Sequence, residues 1–226
     1  MSAKEFETLD ESFSHLEELH VASTRIAKLA PLPKSLKKLY LRNCQDVPAE
    51  EFDKLDESFS HLEELHVSFT RIAKLAPLPK SLKKLNLISC RDVPAEEFDK
   101  LDESFSHLEK LHVLRTRIAK LAHLPKSLKK LDLSSCKNVQ VEEFEQLDES
   151  FSHLEELDVA STQIAKLAPL PKSLKKLALG NCEDVPAEEF ETLDESFSRL
   201  EGFDLGNTQI IKLASLPKSL KVLDLR

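Results

Sequence analysis

The strongest constraint on the fold of this chain is an internal repeat of 46 residues. The segment LDESFSHLEELHV begins at Leu9 and returns, with few changes, at Leu55, Leu101, Leu147 and Leu193. Self-similarity at this length is the signature of a solenoid, in which each unit packs only against its neighbours. We therefore expect a single elongated domain over residues 1–226.

Each period contains the pattern L-x-x-L-x-L/V twice, with a spacing that alternates between 20 and 26 residues. Ten copies are present, beginning at Leu16, Leu36, Leu62, Leu82, Leu108, Leu128, Leu154, Leu174, Leu200 and Leu220. The pattern resembles the leucine-rich-repeat family, whose consensus L-x-x-L-x-L-x-x-N/C-x-L is matched by LKKLYLRNCQDV at Leu36–Val47. The shorter unit, with LAPLPKSL at Leu29–Leu36, is similar to the proline-containing repeats of certain bacterial effector proteins.

This resemblance implies an α/β fold, a curved solenoid with a parallel β-sheet on its concave face. The 26-residue units carry DVPAEEFDKLDESF at Asp46–Phe59, in which Pro48 suits a first helical position. Phe52, Leu55 and Phe59 are spaced for one buried face. We therefore expect short helices on the convex side of the longer, alternate repeats, and none in the shorter ones.

Both ends of the array are abrupt. The opening SAKEFETLDESF aligns with the helical segment of the later copies and begins with a capping box at Ser2 and Glu5. The last copy stops at LKVLDLR, directly after a strand. Repeat arrays usually end in polar capping units. The exposed C-terminal face therefore suggests excision from a longer protein, a minimal array, or self-association through that face.

The four cysteines occupy one repeat position, which argues against a disulfide or a zinc site. Cys44, Cys90, Cys136 and Cys182 are 46 residues apart, so neighbours lie two strands, or roughly 9.6 Å, from each other. A disulfide needs Cα atoms within about 7 Å, and zinc ligands converge on one metal at about 2.3 Å. We interpret these residues as buried structural thiols, which agrees with a reducing compartment. The equivalent position of the shorter units holds Thr24, Thr70, Thr116, Thr162 and Thr208.

The sequence predicts neither an enzyme nor a cofactor-binding protein. Ser, His and acidic residues recur in SFSHLEEL, but repeated copies of one surface motif do not assemble a catalytic triad. His20, His66 and His112 lie on every second predicted strand, too far apart to share a metal ion. There is no glycine-rich phosphate loop and no C-x-x-C motif.

The charge and hydropathy of the chain also limit its partners. The formal net charge of −8 disfavours non-specific binding to nucleic acid or anionic membranes. The start of the chain has no apolar signal core, and no apolar run approaches the roughly 18 residues of a membrane span. We expect a cytoplasmic protein without nucleic-acid or membrane partners; secretion as an effector stays an open alternative.

Charges at the strand entries alternate from one unit to the next. Glu17 and Glu18 enter one strand, Lys37 and Lys38 the next, and the order then repeats along the chain. Opposite charges on adjacent strands favour one register and contribute about 0.2–1 kcal/mol per pair. We interpret this ladder as register control and solubility. Lys110 breaks it by placing a cation where the pattern predicts Glu.

Differences among the copies concentrate at residues between and just after the strand leucines. Because alternate side chains of a strand face opposite ways, these residues face the concave solvent side, where the leucine-rich-repeat family commonly binds partners. The first half of this face mixes aromatic, aliphatic and Arg side chains, which is typical of protein-interface hot spots. The predicted partner-binding residues, on strands two to five, are Tyr40, Arg42, His66, Phe69, Asn86, Ile88, His112, Leu114 and Arg115.

The second half of the face is small and acidic. Asp132, Asp158, Asp204 and Asp224 would attract a cation or a basic peptide, although calcium prefers six to eight oxygen ligands. Two functions fit the whole pattern. One is a protein-interaction scaffold that binds a protein or peptide on its concave face. The other is an engineered or recently amplified repeat scaffold with no selected ligand.

These two functions differ in what the variable residues do. An interaction surface requires side chains that reach solvent, so Tyr40, Phe69 and Leu114 are expected to be exposed. Their replacement by Ala would then weaken a partner with little effect on folding.

Overall fold

The computed structural model describes residues 6, 9, 11–29, 32–191, 193–208 and 216–226. Within these residues, ten three-residue strands form one parallel sheet whose spatial order is the order along the chain. The strands are β1 (Glu18–His20), β2 (Lys38–Tyr40), β3 (Glu64–His66), β4 (Lys84–Asn86), β5 (Lys110–His112), β6 (Lys130–Asp132), β7 (Glu156–Asp158), β8 (Lys176–Ala178), β9 (Gly202–Asp204) and β10 (Val222–Asp224). The predicted solenoid with a parallel sheet is confirmed.

In β1–β9 the middle residue of each strand points into the core. Leu39, Leu65 and Leu85 lie in register on adjacent strands and are fully buried, whereas the residues on either side of each are partly exposed. Burying one such side chain contributes about 1.5–3 kcal/mol. The repeated leucines therefore set both the register and the direction in which the intervening side chains face.

Short helices occur in the 26-residue units, as predicted, on the side of the core opposite the sheet. Ala49–Phe52 and Leu193–Ser196 are α-helical. The other segments are 3₁₀ helices: Glu11–Phe13, Ala95–Lys100, Glu103–Phe105, Val141–Gln146, Glu149–Phe151 and Ala187–Phe190. The phenylalanine and leucine positions predicted to be buried, at Phe52, Leu55 and Phe59, are buried.

The first of these helices occupies only part of the segment Asp46–Phe59 in which a short helix was expected. Pro48 is the residue before the first helix, with an extended conformation at φ −69° and ψ 157°, rather than its first helical residue. In the next copy, Leu101 has φ −83° and ψ 63° and ends the helix. This break lets both Leu101 and the following Phe105 reach the core, where both are fully buried.

Side chains of these helices also bind the preceding short unit. The Glu97 carboxylate accepts a hydrogen bond from the Leu75 backbone N–H at 2.8 Å. In the turn before β4, the Ser81 hydroxyl donates to the Leu62 carbonyl at 2.8 Å. Equivalent glutamate contacts, at 2.7–2.9 Å, join Glu51 to Leu29, Glu143 to Leu121 and Glu189 to Leu167. Each longer unit is thus tied to its neighbour by buried polar contacts as well as by leucines.

The remaining expectations on burial have mixed outcomes. The four cysteines are buried and free, as the repeat position predicted. Val222, Leu223 and Leu225 on and after β10 are exposed. The capping box expected at Ser2 and Glu5 lies outside the described residues. No helix in the described ranges is long and apolar enough to cross a bilayer.

Candidate functional site

Two rows of outward-facing side chains run across the sheet. We call the first residues of the strands the entry row: Glu18, Lys38, Glu64, Lys84, Lys110, Lys130, Glu156, Lys176, Gly202 and Val222. The third residues form the centre row: His20, Tyr40, His66, Asn86, His112, Asp132, Asp158, Ala178, Asp204 and Asp224. Both rows lie on the face predicted to bind a partner.

An aromatic stack occupies the centre row of β1–β3. The rings of His20 and Tyr40 are stacked with centroids 4.2 Å apart, and Tyr40 and His66 follow at 4.5 Å. The Tyr40 hydroxyl donates to Glu64 Oε2 at 3.2 Å. Burial, together with the negative charge of Glu64, raises the pKa of Tyr40. Tyr40 is therefore half-buried rather than exposed as expected, because imidazole rings flank it on both adjacent strands.

His66 has a polar atom without a hydrogen bond. Its side chain is 16% exposed, and its Nε2 is buried with no hydrogen-bond partner in the described part of the chain. Burial, reinforced by the positive charge of Lys84, lowers the pKa of His66 to about 4. The ring is therefore neutral at pH 7 and adds aromatic surface rather than charge to this face.

Phe69 has an unusual backbone conformation. It is 39% exposed, its φ is 58°, and the Arg42 guanidinium lies 5.9 Å from the ring centroid. The left-handed region costs roughly 1–2 kcal/mol for residues other than Gly and is best tolerated by Asn and Asp. The same position has a positive φ in other units, where it holds Ser23, Asn43, Ser89, Arg115, Ser135, Ser161, Asn181 and Asn207. Only Phe69 and Arg115 place a large side chain there.

An apolar ridge connects the ends of β3, β4 and β5. We define it as Phe69, Ile88 and Leu114, whose loops are hydrogen bonded in sequence. The Phe69 N–H donates to the Ile88 carbonyl at 2.9 Å, and the N–H of the residue after Ile88 donates to the Leu114 carbonyl at 2.8 Å. Ile88 and Leu114 are half-buried, so Leu114 is less exposed than expected. Arg42 and Arg115, both exposed, lie at the two ends of the ridge.

Asn86 and His112 support neighbouring groups. Asn86 Oδ1 accepts from the Ile88 N–H at 3.1 Å and so orders the middle of the ridge. His112 Nδ1 lies 3.5 Å from Asp132 Oδ2. The structure thus places five of the nine predicted residues in the aromatic stack (Tyr40, His66) and the apolar ridge (Phe69, Ile88, Leu114), with the other four beside them. Variation between the repeat copies identified these residues from the sequence. The left-handed backbone conformation of Phe69 and Arg115 was not predicted from it.

The second half of the face forms a trough of about 530 Å³ across β6–β10. Burial raises the pKa of Asp158, and the charges of Asp132 and Asp204 add to the shift. For Asp132, burial alone would raise the pKa, but hydrogen bonds from His112 and Ser134 outweigh it and the pKa is lowered. Among the described residues, no three His, Cys, Asp or Glu side chains are placed to hold a metal ion.

Comparison with known proteins gives matches of structure alone. No protein-family model matches the chain, and no curated protein sequence matches it. An internalin (InlF) from Listeria monocytogenes has 20% sequence identity and a TM-score of 0.75, with 100% of this chain and 69% of the internalin chain covered. YopM from Yersinia enterocolitica has 23% identity and a TM-score of 0.63, with 94% and 47% covered. A leucine-rich-repeat protein from Leptospira interrogans has 19% identity and a TM-score of 0.60, with 96% and 62% covered.

These similarities confirm the leucine-rich-repeat fold that the sequence pattern indicated. The matched proteins are bacterial, as the resemblance of the shorter units to bacterial effector repeats implied. This chain spans between about half and two thirds of the length of the Yersinia and Leptospira chains. At these identities the likeness concerns the fold alone.

Proposed function

We propose that this chain is a protein-interaction scaffold that binds a protein or peptide segment over β2–β5 of its concave face. The observation that carries the proposal is Phe69, an exposed aromatic side chain held in a left-handed backbone conformation. The left-handed turn recurs at this position in other units, so the turn belongs to the fold. What is particular to Phe69 is a bulky, exposed side chain at a position that costs such a residue conformational energy. Solvation alone gives no reason for a Phe at this position.

The surroundings of Phe69 support a binding surface. The apolar ridge has an arginine at each end, and Arg, Tyr and Trp are the residue types enriched at interface hot spots. The ridge is built on strands and loops that are hydrogen bonded to their neighbours. A preorganised surface loses little conformational entropy on binding. The ridge and the aromatic stack would therefore form the centre of an interface.

The alternative is a repeat scaffold with no selected ligand. Large residues at Phe69 and Arg115 oppose it, because the small residues Ser or Asn fill the same position in the other described units, and Asn adopts a positive φ more readily. We propose no catalytic activity and no cofactor for this face. The four buried free thiols support the reducing environment of the cytoplasm as the place where it acts.

Site-specific photocrosslinking tests the proposal. Benzoylphenylalanine would replace Phe69 in one protein and Phe13 in a matched control. Phe13 is also an exposed phenylalanine, at 46%, but it lies outside the concave face. With lysate of the source cells, we expect a discrete crosslinked species from position 69 that is absent from position 13. Excess unlabelled wild-type chain should compete it away, and the Phe69→Ser chain should not.

Equal crosslinking from both positions, or none from position 69, would contradict an interface at the ridge. In that case the scaffold without a selected ligand is the better account of the chain.

A second proposal, self-association, is supported by β10. Val222, Leu223 and Leu225 expose apolar side chains, and Val222 occupies the entry-row position that is Lys in β2, β4, β6 and β8. Sedimentation velocity across a range of concentrations should show association of the wild-type chain and less of it for Val222→Lys. A wild-type chain that stays monomeric at the highest concentration would exclude this proposal.

A further inference from the structure

Ion pairs on the entry row follow the alternation of charge along most of the sheet. Lys38 Nζ lies 3.6 Å from Glu18 and 4.0 Å from Glu64. On the other side of the face, Glu156 binds both neighbouring strands, with Lys130 at 2.9 Å and Lys176 at 3.0 Å. Each of these lysines thus has a carboxylate on an adjacent strand.

The alternation fails at β5. Lys110 pairs in register with Lys84 on one side and with Lys130 on the other, so three cations lie side by side. Lys84 and Lys130 each keep one glutamate on their far side, Glu64 at 3.6 Å and Glu156 at 2.9 Å. Lys110 is exposed and has no ion pair within the described ranges. Like charges directly opposite each other on neighbouring strands are destabilising.

The break is confined to the concave face. One residue before the entry row, a second ladder keeps its alternation, and Lys129 Nζ lies 2.8 Å from Glu109 Oε1. The same ladder is paired at Lys37 with Glu17, Lys83 with Glu63, Lys175 with Glu155 and Lys221 with Glu201, at 2.7–2.9 Å. The register of β5 is therefore ordinary, and the substitution at Lys110 changes only the charge offered to solvent.

Other outward positions of the same unit also differ from their counterparts. Leu114 stands where three other odd-numbered units have Ala or Gly and one has Ser, and Arg115 stands at the left-handed position. The inward residues Leu111 and Val113 are unchanged and fully buried. The unit of β5 is thus altered on the side that faces a partner and preserved on the side that faces the core.

We propose that Lys84, Lys110 and Lys130 bind the carboxylates of an acidic segment of the partner protein. This inference rests on the proposed function and names the chemistry of the partner. Two strand spacings separate the outer lysines by roughly 10 Å, which about three residues of an extended chain would cross. The apolar ridge lies four residues along the strands, roughly 13 Å away. The partner therefore combines acidic residues with an apolar group at that distance.

The rest of the face argues against nucleic acid as the occupant. The positive patch is only three strands wide, and the centre row of the strands beyond it carries Asp158 and Asp204. A continuous phosphate backbone would run into these carboxylates, whereas a short acidic segment would not. The net charge of −8 adds to this repulsion.

Binding of acetylated hexaglutamate, followed by ¹⁵N NMR, tests the proposal on the full chain. We expect shifts of the backbone amides around Lys84, Lys110 and Lys130, and none with hexaglutamine. Lys110→Gln should weaken binding about fivefold, which is the loss of one surface charge contact. Lys110→Glu, which restores the alternation, should abolish it. Lys38→Gln removes a lysine of the same row outside the patch and should bind as the wild type does.

Several results would overturn the inference. These are shifts spread over the lysines of the outer ladder, equal weakening by Lys38→Gln and Lys110→Gln, or tighter binding of an oligonucleotide of the same charge. No shift with hexaglutamate, together with a crosslink from position 69, would leave the scaffold function standing and remove only the acidic partner. Hexaglutamate binding without any crosslink from position 69 would leave the three lysines as a site for acidic segments and remove the interface at the apolar ridge.

Discussion

The thiol of Cys90 donates a hydrogen bond to the carbonyl oxygen of Val67 at 3.0 Å. The Thr70 hydroxyl donates to the same oxygen at 2.6 Å. Cys136 with Val113 and Cys182 with Val159 repeat the arrangement at 3.0 and 3.1 Å. Cysteine and threonine therefore have equivalent roles, as their shared repeat position predicted. Both donate a hydrogen bond to a buried carbonyl oxygen just after a strand.

These thiols should be unreactive in the folded protein. Burial raises the pKa of Cys90 to about 11, and only the thiolate is nucleophilic. We expect the native chain to resist a disulfide reagent such as DTNB at pH 8 and to react fully at its four cysteines once unfolded in guanidinium. Rapid labelling of the native chain at pH 8 would contradict the burial of these groups.

The same pKa predicts a loss of stability in alkali. The fold favours the neutral thiol, so the contribution of Cys90 is fully present below the ordinary thiol pKa of 9.0 and is lost as the pH rises through about 11. Urea unfolding at pH 8 and at pH 10.5 should therefore give a smaller free energy of unfolding at the higher pH. Cys90→Ala should reduce that difference, and an unchanged difference would exclude Cys90 as its source.

A further prediction concerns the contact between the longer and shorter units. Glu97→Ala removes the acceptor of the Leu75 N–H, which is partly buried. Leaving such a donor unpaired costs about 1–3 kcal/mol. We expect that loss in urea unfolding at pH 7, and a change within about 0.5 kcal/mol for the exposed neighbour Glu96→Ala. Equal effects of the two substitutions would show that the contact does not stabilise the fold.

Glu97 also marks the limit of what the sequence could predict. The spacing of the leucines predicted the strands and the core, because buried positions recur at the same place in every repeat. It also predicted a short helix after each even-numbered strand. Which glutamate turns back to the preceding unit depends on the distance between units, and so does the end of the helix at Leu101. Neither has a local pattern in the sequence.

The candidate site, too, could be predicted from the sequence only in part. Variation between copies singled out Tyr40 and Phe69, because constant positions are those the core requires. The stacking that half-buries Tyr40 follows from the spacing of adjacent strands, and the left-handed backbone of Phe69 follows from the turn that every unit makes after its strand. The trough of β6–β10 arises where Ala178 and Gly202 replace larger side chains, which the sequence indicated only as a small and acidic half.

Another prediction tests the electrostatics of that trough. Burial and the neighbouring carboxylates raise the pKa of Asp158. A carboxyl with a raised folded pKa stabilises the fold below its unfolded pKa, near 3.8, and this contribution is lost as the pH rises through the folded value. Asp158→Asn should therefore raise the melting temperature at pH 7, measured by calorimetry, and have little effect near pH 3.

Asp132→Asn is the matched control for Asp158→Asn. Asp132 Oδ1 accepts hydrogen bonds from the Ser134 N–H and hydroxyl at 3.0 and 2.6 Å, and Oδ2 lies 3.5 Å from His112. Its pKa is lowered because these contacts outweigh burial, so its charge stabilises the fold at pH 7. The two substitutions should change the melting temperature in opposite directions. A lower melting temperature for both variants would show that the charge of Asp158 does not destabilise the fold.

The last prediction concerns the conformational cost of the proposed interface. Arg115 has φ 56°, a conformation that Asn adopts more readily than Arg. Arg115→Asn should therefore raise the free energy of unfolding by about 0.5–1 kcal/mol. Arg117 is also exposed but is not among the residues with positive φ. Arg117→Asn should change the free energy of unfolding by less than about 0.5 kcal/mol.

The Arg115→Asn variant also tests whether Arg115 takes part in binding the partner. If Arg115 contacts the partner, the variant should be more stable and yet give a weaker crosslink from position 69, a trade between stability and function that binding sites often show. Because Arg115 lies beside Leu114 at the end of the apolar ridge, the effect should exceed that of Arg117→Asn in the same assay. A variant that gains stability and keeps its full crosslink would mean that the strain at Arg115 has no role in recognition, and the proposed interface would then have to end at Leu114.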